Sequence, residues 1–178
     1  MLLASVAPRG WNQQNMVVVA MLSQKYVDAF DAERPIFLPR QLDSVARDMQ
    51  KTFSRVTPIN FLAAISVPNF SRACQTLARA QTLVNEATVA CALERYRAAH
   101  GDFPETLDFL VPGFIQKLPT DLIGGQPLRY RRKSSDNFLL YSVGWNEIDD
   151  GGVVVRNENG YVDLNKGDWT WDPFQEKK

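Results

Sequence analysis

The feature that most constrains the fold is a long helical pattern, predicted over Asn69–His100. Apolar side chains recur there at three- and four-residue steps, which is the spacing of one face of an α-helix. Gly101 suits the residue just past a helix end, and Pro104 blocks any continuation. Because two apolar stripes run along this helix, we expect it to be covered on two sides. The first stripe is Phe70, Ala73, Cys74, Leu77, Ala80, Val84, Ala87 and Cys91, and the second is Leu83, Val89, Ala90, Leu93 and Tyr96.

Short segments typical of β-strands follow the helix. Strands are predicted over Leu128–Lys133, Phe138–Val143 and Val153–Val155, with a further strand over Tyr161–Leu164. One long helix followed by antiparallel strands is the pattern of an α+β fold. We therefore expect the long helix to pack on a small antiparallel sheet built from the first three segments.

Two more helices are predicted upstream, over Trp11–Asp31 and Gln41–Arg55. We expect residues 1–60 to form a helical extension and residues 61–178 to form the α+β domain. The extension would cover the other stripe of the long helix or bind the rest of a larger parent protein. The apolar face predicted for the first helix consists of Met16, Val17, Ala20, Met21, Gln24, Val27 and Phe30.

Composition narrows the chemistry available to this chain. Its 178 residues include 20 Lys+Arg, 20 Asp+Glu and one His, with a formal net charge of zero. A nucleic-acid binder needs a basic excess, so this balance argues against one. A single histidine excludes a multi-histidine metal site within one chain, and any catalytic triad would have to use it. The apolar runs Met16–Leu22 and Phe61–Val67 are shorter than the roughly 20 residues that span a bilayer. We predict a chain that is not an enzyme, has no nucleic-acid partner and contains no membrane span.

Three isolated residues are given structural interpretations. Cys74 and Cys91 lie ~25 Å apart if they share one helix, which is too far for a disulfide bond. Both are interpreted as core residues, because a free cysteine packs like a small hydrophobic side chain. His100 lies at the end of the predicted helix, where it is interpreted as a capping or surface residue.

The segment Gly144–Gly152 has the clearest potential for chemistry. Asn146, Asp149 and Asp150 supply side-chain oxygens, and the glycines of the segment allow tight curvature. Calcium is bound by six to eight oxygens in a loop that can curl around it. The three residues are therefore candidate calcium ligands, and a plain hydrogen-bonded turn is the alternative.

Two further clusters leave alternatives open. Four basic residues lie near Tyr130, either as a surface for an acidic partner or phosphate, or as a solvated strand whose alternation divides them between two faces. Trp145, Trp169 and Trp171 either close a small core or form a surface for a partner or sugar. A hydrolase or ligand-binding domain that uses the acidic loop and these tryptophans is the alternative function. No catalytic or cofactor-binding residue is assigned. The basic residues are Arg129, Arg131, Arg132 and Lys133.

Three runs of residues resemble a known family in order and spacing. The first reads Ala-Leu-Glu-Arg-Tyr-Arg over Ala92–Arg97, followed by His-Gly-Asp-Phe-Pro over His100–Pro104. The second combines Leu-Pro-Thr-Asp with Gly-Gln-Pro-Leu-Arg-Tyr, and the third combines Phe-Leu-Leu-Tyr-Ser-Val-Gly with Asp-Asp-Gly-Gly. Together they resemble the major pseudopilins of type II secretion. The preceding Leu62–Phe70 resembles the end of the hydrophobic segment in type IV pilin-like proteins.

The resemblance covers about residues 62–155 and implies a pseudopilin-like α+β module that works through protein–protein contacts. It implies a location in the bacterial cell envelope or periplasm, and calcium in the loop that contains Asn146, Asp149 and Asp150. Family members begin with a basic leader, a processing site and about 20 apolar residues that anchor them. The corresponding stretch Val56–Asn60 is neither apolar nor a processing site. We therefore expect the module to be carried at the end of a larger protein, with that protein's remainder or a separate protein as its partner.

Overall fold

A computed structural model of the chain describes residues 8–31, 36–57, 60–66 and 70–171. It is α+β, with one long helix and small antiparallel sheets, as predicted. The helices are α1 (Arg9–Asp28), α2 (Pro39–Thr52), α3 (Phe61–Ser66) and α4 (Ser71–His100), with a 3₁₀ helix at Leu107–Leu110. The strands are β1 (Phe30–Asp31), β2 (Ile36–Phe37), β3 (Arg129–Arg132), β4 (Phe138–Ser142), β5 (Val154–Arg156), β6 (Val162–Gly167) and β7 (Trp169–Thr170).

Helix α4 ends where the sequence predicts, at His100. Gly101 adopts a left-handed conformation, and its N–H donates to the carbonyl of Arg97 at 2.7 Å. The predicted start, Asn69, lies outside the described residues. The second apolar stripe is the one that packs inward, because Val89, Ala90 and Leu93 are buried.

The first stripe of α4 does not lie in the core as expected. Cys91 is exposed and Cys74 is half-buried, so the interpretation of both as core residues is wrong for Cys91. The buried face of the helix's first half is instead largely polar. It consists of Gln75, Ala78, Arg79, Thr82 and Glu86.

Helix α1 also buries a different face from the one that the sequence predicts. The predicted apolar face is exposed, and Met16, Val17, Met21 and Val27 lie on the outside. The orientation follows from Asn15, whose side-chain oxygen accepts a hydrogen bond from the Ala63 backbone N–H of α3 at 2.7 Å. The buried side chains of α1 are Asn15, Leu22 and Tyr26.

The main sheet has the order β3–β4–β7, with both pairs antiparallel. The prediction that Val153–Val155 forms its third strand is wrong. That position is taken by β7, where Trp169 pairs with Ser142 and occupies the free edge of β4. Strand β5 pairs with β6 in a separate two-stranded sheet.

Residues from both sides of the predicted boundary at residue 60 share one core cluster. Tyr26, Phe37 and Leu42 pack with Ala78 and Trp169 in this cluster. The segments upstream of residue 60 are therefore packed directly against the long helix and the main sheet. A second cluster lies around the end of α4, and contains Val89, Ala92, Leu93, Phe103, Leu107, Leu110, Leu128 and Leu140.

Among the described helices, we find none with the length and apolar character needed to cross a membrane.

Candidate functional site

The acidic loop, residues 144–152, leaves the end of β4 and leads towards β5. Two of its glycines are required by close contacts. Gly144 has a φ of +70°, and a Cβ there would lie 2.6 Å from the carbonyl oxygen of Gly167. A Cβ on Gly152, which has a φ of +87°, would lie 2.7 Å from the Leu139 side chain. The loop therefore adopts a tight, defined path against the strands.

Asp168 fixes that path from beneath the loop. Its side chain is fully buried, and its two carboxylate oxygens accept hydrogen bonds from the Asp150 N–H at 3.3 Å and the Gly152 N–H at 2.6 Å. Burial raises the pKa of Asp168, while these two N–H groups act to lower it. The sequence shows Asp168 only as one of several acidic residues near the C-terminus, so its role was not predicted.

Asp149, one of the predicted calcium ligands, already has three partners. One carboxylate oxygen accepts from the Tyr141 hydroxyl at 2.9 Å and from the Gly151 N–H at 3.1 Å. The other oxygen lies 3.3 Å from Nε of Arg129. The Tyr141 hydrogen bond is the largest cause of the lowered pKa of Asp149, followed by the Gly151 hydrogen bond.

The other two candidate ligands bond to each other. The Asn146 side-chain amide donates to an Asp150 carboxylate oxygen at 3.1 Å, and its oxygen accepts from the Ile148 N–H at 3.2 Å. The loop oxygens are thus bonded as in the alternative interpretation, a hydrogen-bonded turn.

The present arrangement of these side chains does not form a cation cage. Arg129 lies against Asp149, and Asn146 turns its N–H rather than its oxygen towards Asp150. Within the described residues, no group of three or more His, Cys, Asp or Glu side chains is placed to hold a metal ion. Calcium at Asn146, Asp149 and Asp150 stays a prediction. Binding would require the Arg129 and Asn146 side chains to rearrange.

Basic residues of β3 form ion pairs with different acidic partners. Arg129 pairs with Asp149, whereas Arg132 lies 3.0 Å from Asp102 and 3.2 Å from Glu105. Residue exposure alternates along β3, in agreement with the prediction that the charges divide between two faces. Arg131 and Lys133 are exposed.

The tryptophans close a core, as one of the two interpretations expects. Trp145 and Trp169 are buried. The Trp145 ring N–H donates to the Asp43 carboxylate at 3.2 Å, which connects the acidic loop to α2. Trp171 is half-buried and packs against the second core cluster.

A buried polar pair on α4 was missed by the sequence analysis. Arg79 lies 3.6 Å from Glu86, and the Glu86 side chain is fully buried. Neither carboxylate oxygen of Glu86 has a hydrogen-bond partner of normal geometry among the described residues. Burial raises the pKa of Glu86 to about 8. Arg79 and the Ser142 backbone N–H oppose the rise, and the nearby Asp121 adds to it. The available signal was two opposite charges seven residues apart, which share a helix face.

A groove of about 570 Å³ lies between α4 and the segment after the 3₁₀ helix. Leu77, Phe30 and Leu122 line it, together with the amides of Gln81 and Asn85. Those amides bond to each other and to the Thr120 carbonyl. None of the described lining residues is an acid, a histidine or a cysteine, so the groove brings no acid–base pair together.

His100 lies at the surface, as predicted. Its ring stacks on Tyr96 with the centroids 4.1 Å apart, and Nδ1 lies 3.0 Å from the Tyr96 carbonyl oxygen. His100 is therefore an exposed residue at the C-terminal end of α4.

Comparison with known proteins identifies no relative, since no family model, curated protein or solved structure matches this chain significantly.

Proposed function

We propose that this chain is a non-enzymatic structural or interaction module that resembles the soluble part of a secretion-system pseudopilin. Its expected location is the bacterial cell envelope or periplasm. One observation carries the proposal, namely the apolar outer face of α1. Met16 is 69% exposed, Val17 56% and Met21 60%. An exposed apolar patch of this kind marks an interaction surface in a folded protein.

The acidic residues support the same proposal. Asp168 holds the backbone of the acidic loop, and Asp149 is bonded to Tyr141 and Arg129. A catalytic acid and base need free positions next to a substrate and pKa values that are set apart. The partners of these carboxylates fit a role in supporting the loop.

The expected partner is a protein, or the remainder of a larger parent chain, with an apolar surface opposite α1. The segment Met16–Leu22 contains no charged residue. Burying its exposed side chains on binding provides the main favourable free energy, because association of apolar surfaces is driven by release of water.

Photo-crosslinking in the source cells tests this proposal. A photoreactive amino acid is placed at Val17 or Met21, with Lys51 on α2 as the exposed control position. We expect the same protein, identified by mass spectrometry, to be crosslinked at both α1 positions and not at Lys51. The absence of an adduct at Val17 and Met21, or the same adducts at all three positions, overturns the proposal.

A further inference from the structure

The outer face of α4 carries a seven-residue repeat, which we term the outer seam. Its large members are Phe70, Leu77, Val84 and Cys91, and its small members are Ala73, Ala80 and Ala87. These positions alternate in steps of three and four residues, which is the pattern of the contact face of a coiled coil.

The outer seam is exposed along most of its length. Leu77 is 62% exposed and Val84 is 56% exposed. Ala73, Ala80 and Cys91 are exposed too, and Ala87 is half-buried. Phe70 contacts the Tyr26 ring of α1 with the centroids 5.4 Å apart, which limits the free part of the seam at that end.

Electric charge is absent from this side of the helix. Between Arg72 and Glu94, the only charged residues of α4 are Arg79 and Glu86, and both lie on the opposite, buried face. The uncharged outer surface extends for about 30 Å. Charges beside the seam of a coiled coil select its partner, and α4 itself carries none between Arg72 and Glu94 that would repel an identical helix. Lys117 of the neighbouring segment lines the groove beside Leu77.

We propose that the outer seam pairs with the outer seam of a second copy of this chain, with the two helices antiparallel. The inference deepens the proposed function and rests on it, because it names one partner and places it on a helix other than α1. In the antiparallel register, Leu77 of one copy faces Ala87 of the other, and Val84 faces Ala80. Cys91 faces Ala73. Leu77, Val84 and Cys91 thus each meet an alanine, which permits close packing of the two helices. Phe70, which packs on Tyr26, lies at the end of the pair, level with Glu94 of the other copy.

A parallel pair fits the same seam less well. It sets Leu77 against Leu77 and Ala80 against Ala80, so that crowded layers alternate with voids. It also sets Arg72 beside Arg72 and Glu94 beside Glu94. The antiparallel pair instead places Arg72 near the Glu94–Arg97 ion pair of the other copy, so that neither Arg72 nor Glu94 faces its own counterpart.

Analytical ultracentrifugation of the full chain tests the pairing. We expect a concentration-dependent dimer in the micromolar range, and an at least tenfold weaker dissociation constant for Val84→Lys. Val153→Lys is the matched control, because Val153 is also 56% exposed and lies outside the seam. Circular dichroism and thermal melting show whether each variant is folded. A wild-type chain that is monomeric at 100 µM, or a dimer unaffected by Val84→Lys, overturns the proposal.

Disulfide trapping tests the helix direction. In a Cys74→Ser background, Ala73→Cys is expected to yield an intermolecular disulfide between the introduced thiol and Cys91. Without Ala73→Cys, the same background should form no such link, whereas a parallel pair would join Cys91 to Cys91. Failure of both seam experiments leaves the crosslinks at Val17 and Met21 unaffected, so the two proposals fail separately.

Discussion

Asp168 and Glu86 are both fully buried carboxyl groups, and they differ in the hydrogen bonds that they receive. Two backbone N–H groups converge on Asp168, from Asp150 and Gly152. Glu86 faces the Arg79 guanidinium at 3.6 Å, and the Ser142 backbone N–H lies near it without a hydrogen bond of normal geometry. Burial raises the pKa of both groups, and it raises that of Glu86 to about 8.

The difference shows that burial alone does not determine what a carboxyl group does. Hydrogen bonds that converge on the charged form stabilise it, as at Asp168, and the carboxylate can then order a loop. An ion-pair partner at 3.6 Å does not offset the loss of hydration at Glu86, and the pKa of this carboxyl group is raised to about 8. Asp168 therefore orders the loop backbone, whereas Glu86, whose pKa is raised to about 8, couples stability strongly to pH.

The largest expected effect comes from removing the carboxylate that orders the loop. Asp168→Ala leaves the Asp150 and Gly152 N–H groups without their acceptor. Hydrogen bonds to charged groups contribute about 1.5–3 kcal/mol each, and the cost of burying the Asp168 charge, which raises its pKa, offsets part of this. We therefore expect the free energy of unfolding in urea to fall by about 2–4 kcal/mol. The exposed Asp108→Ala should change it by less than about 0.5 kcal/mol. Equal, small effects for both variants would contradict the role given to Asp168.

A second effect follows from the raised pKa of Glu86, and it is smaller than the first for each step of one pH unit. The folded state retains the Glu86 proton up to about pH 8, whereas the unfolded chain loses it near the ordinary glutamate pKa of 4.5. Between these values the folded state binds more protons, so the contribution of Glu86 to stability falls as the pH rises. Glu86→Gln cannot ionise and should lack this loss. We expect the variant to gain roughly 1 kcal/mol per pH unit relative to wild type between pH 5 and pH 8.

Urea unfolding at pH 5, 6, 7 and 8 measures this difference. Glu158→Gln serves as the control, because Glu158 is exposed and the change removes the same type of group. Its stability profile should run parallel to that of wild type. If the Glu86→Gln profile is also parallel to wild type, the buried carboxyl group does not couple folding to pH in the way described.

Local signals in the sequence predicted part of the fold. The end of α4 was predictable because Gly101 and Pro104 act locally. The sequence did not predict which face of each helix is covered. Periodicity shows which residues share a face, and it does not show what packs against that face. Asn15 of α1 is buried through its bond to the Ala63 N–H, and no local pattern signals that partner. The third strand of the main sheet was missed because Trp169–Thr170 has only two residues.

The candidate site was predictable to a similar extent. Glycines and acidic side chains identified the loop at residues 144–152, because both types are visible in one short segment. Asp168 was not singled out, since its role depends on two N–H groups at least 16 residues away in the chain. The Arg79–Glu86 pair was not predicted, because apolar stripes lie beside it on the helix and apolar side chains are the ones expected to be buried.

The smallest expected effect concerns calcium at the loop that Asp168 holds. Binding by Asn146, Asp149 and Asp150 would have to displace Arg129 from Asp149 and reverse the Asn146 amide. These costs favour weak binding, in the range of about 10⁻⁴ to 10⁻³ M found for extracellular modules. At 1 mM calcium such affinities stabilise the folded state by about 0.4–1.4 kcal/mol. We expect the melting temperature of the chelated protein to rise by a few degrees on adding 1 mM calcium, and Asp150→Asn to abolish the rise. Asp108→Asn should retain it. If calcium causes no rise in wild type and calorimetry detects no binding, the loop is a hydrogen-bonded turn that Asp168 stabilises without a metal.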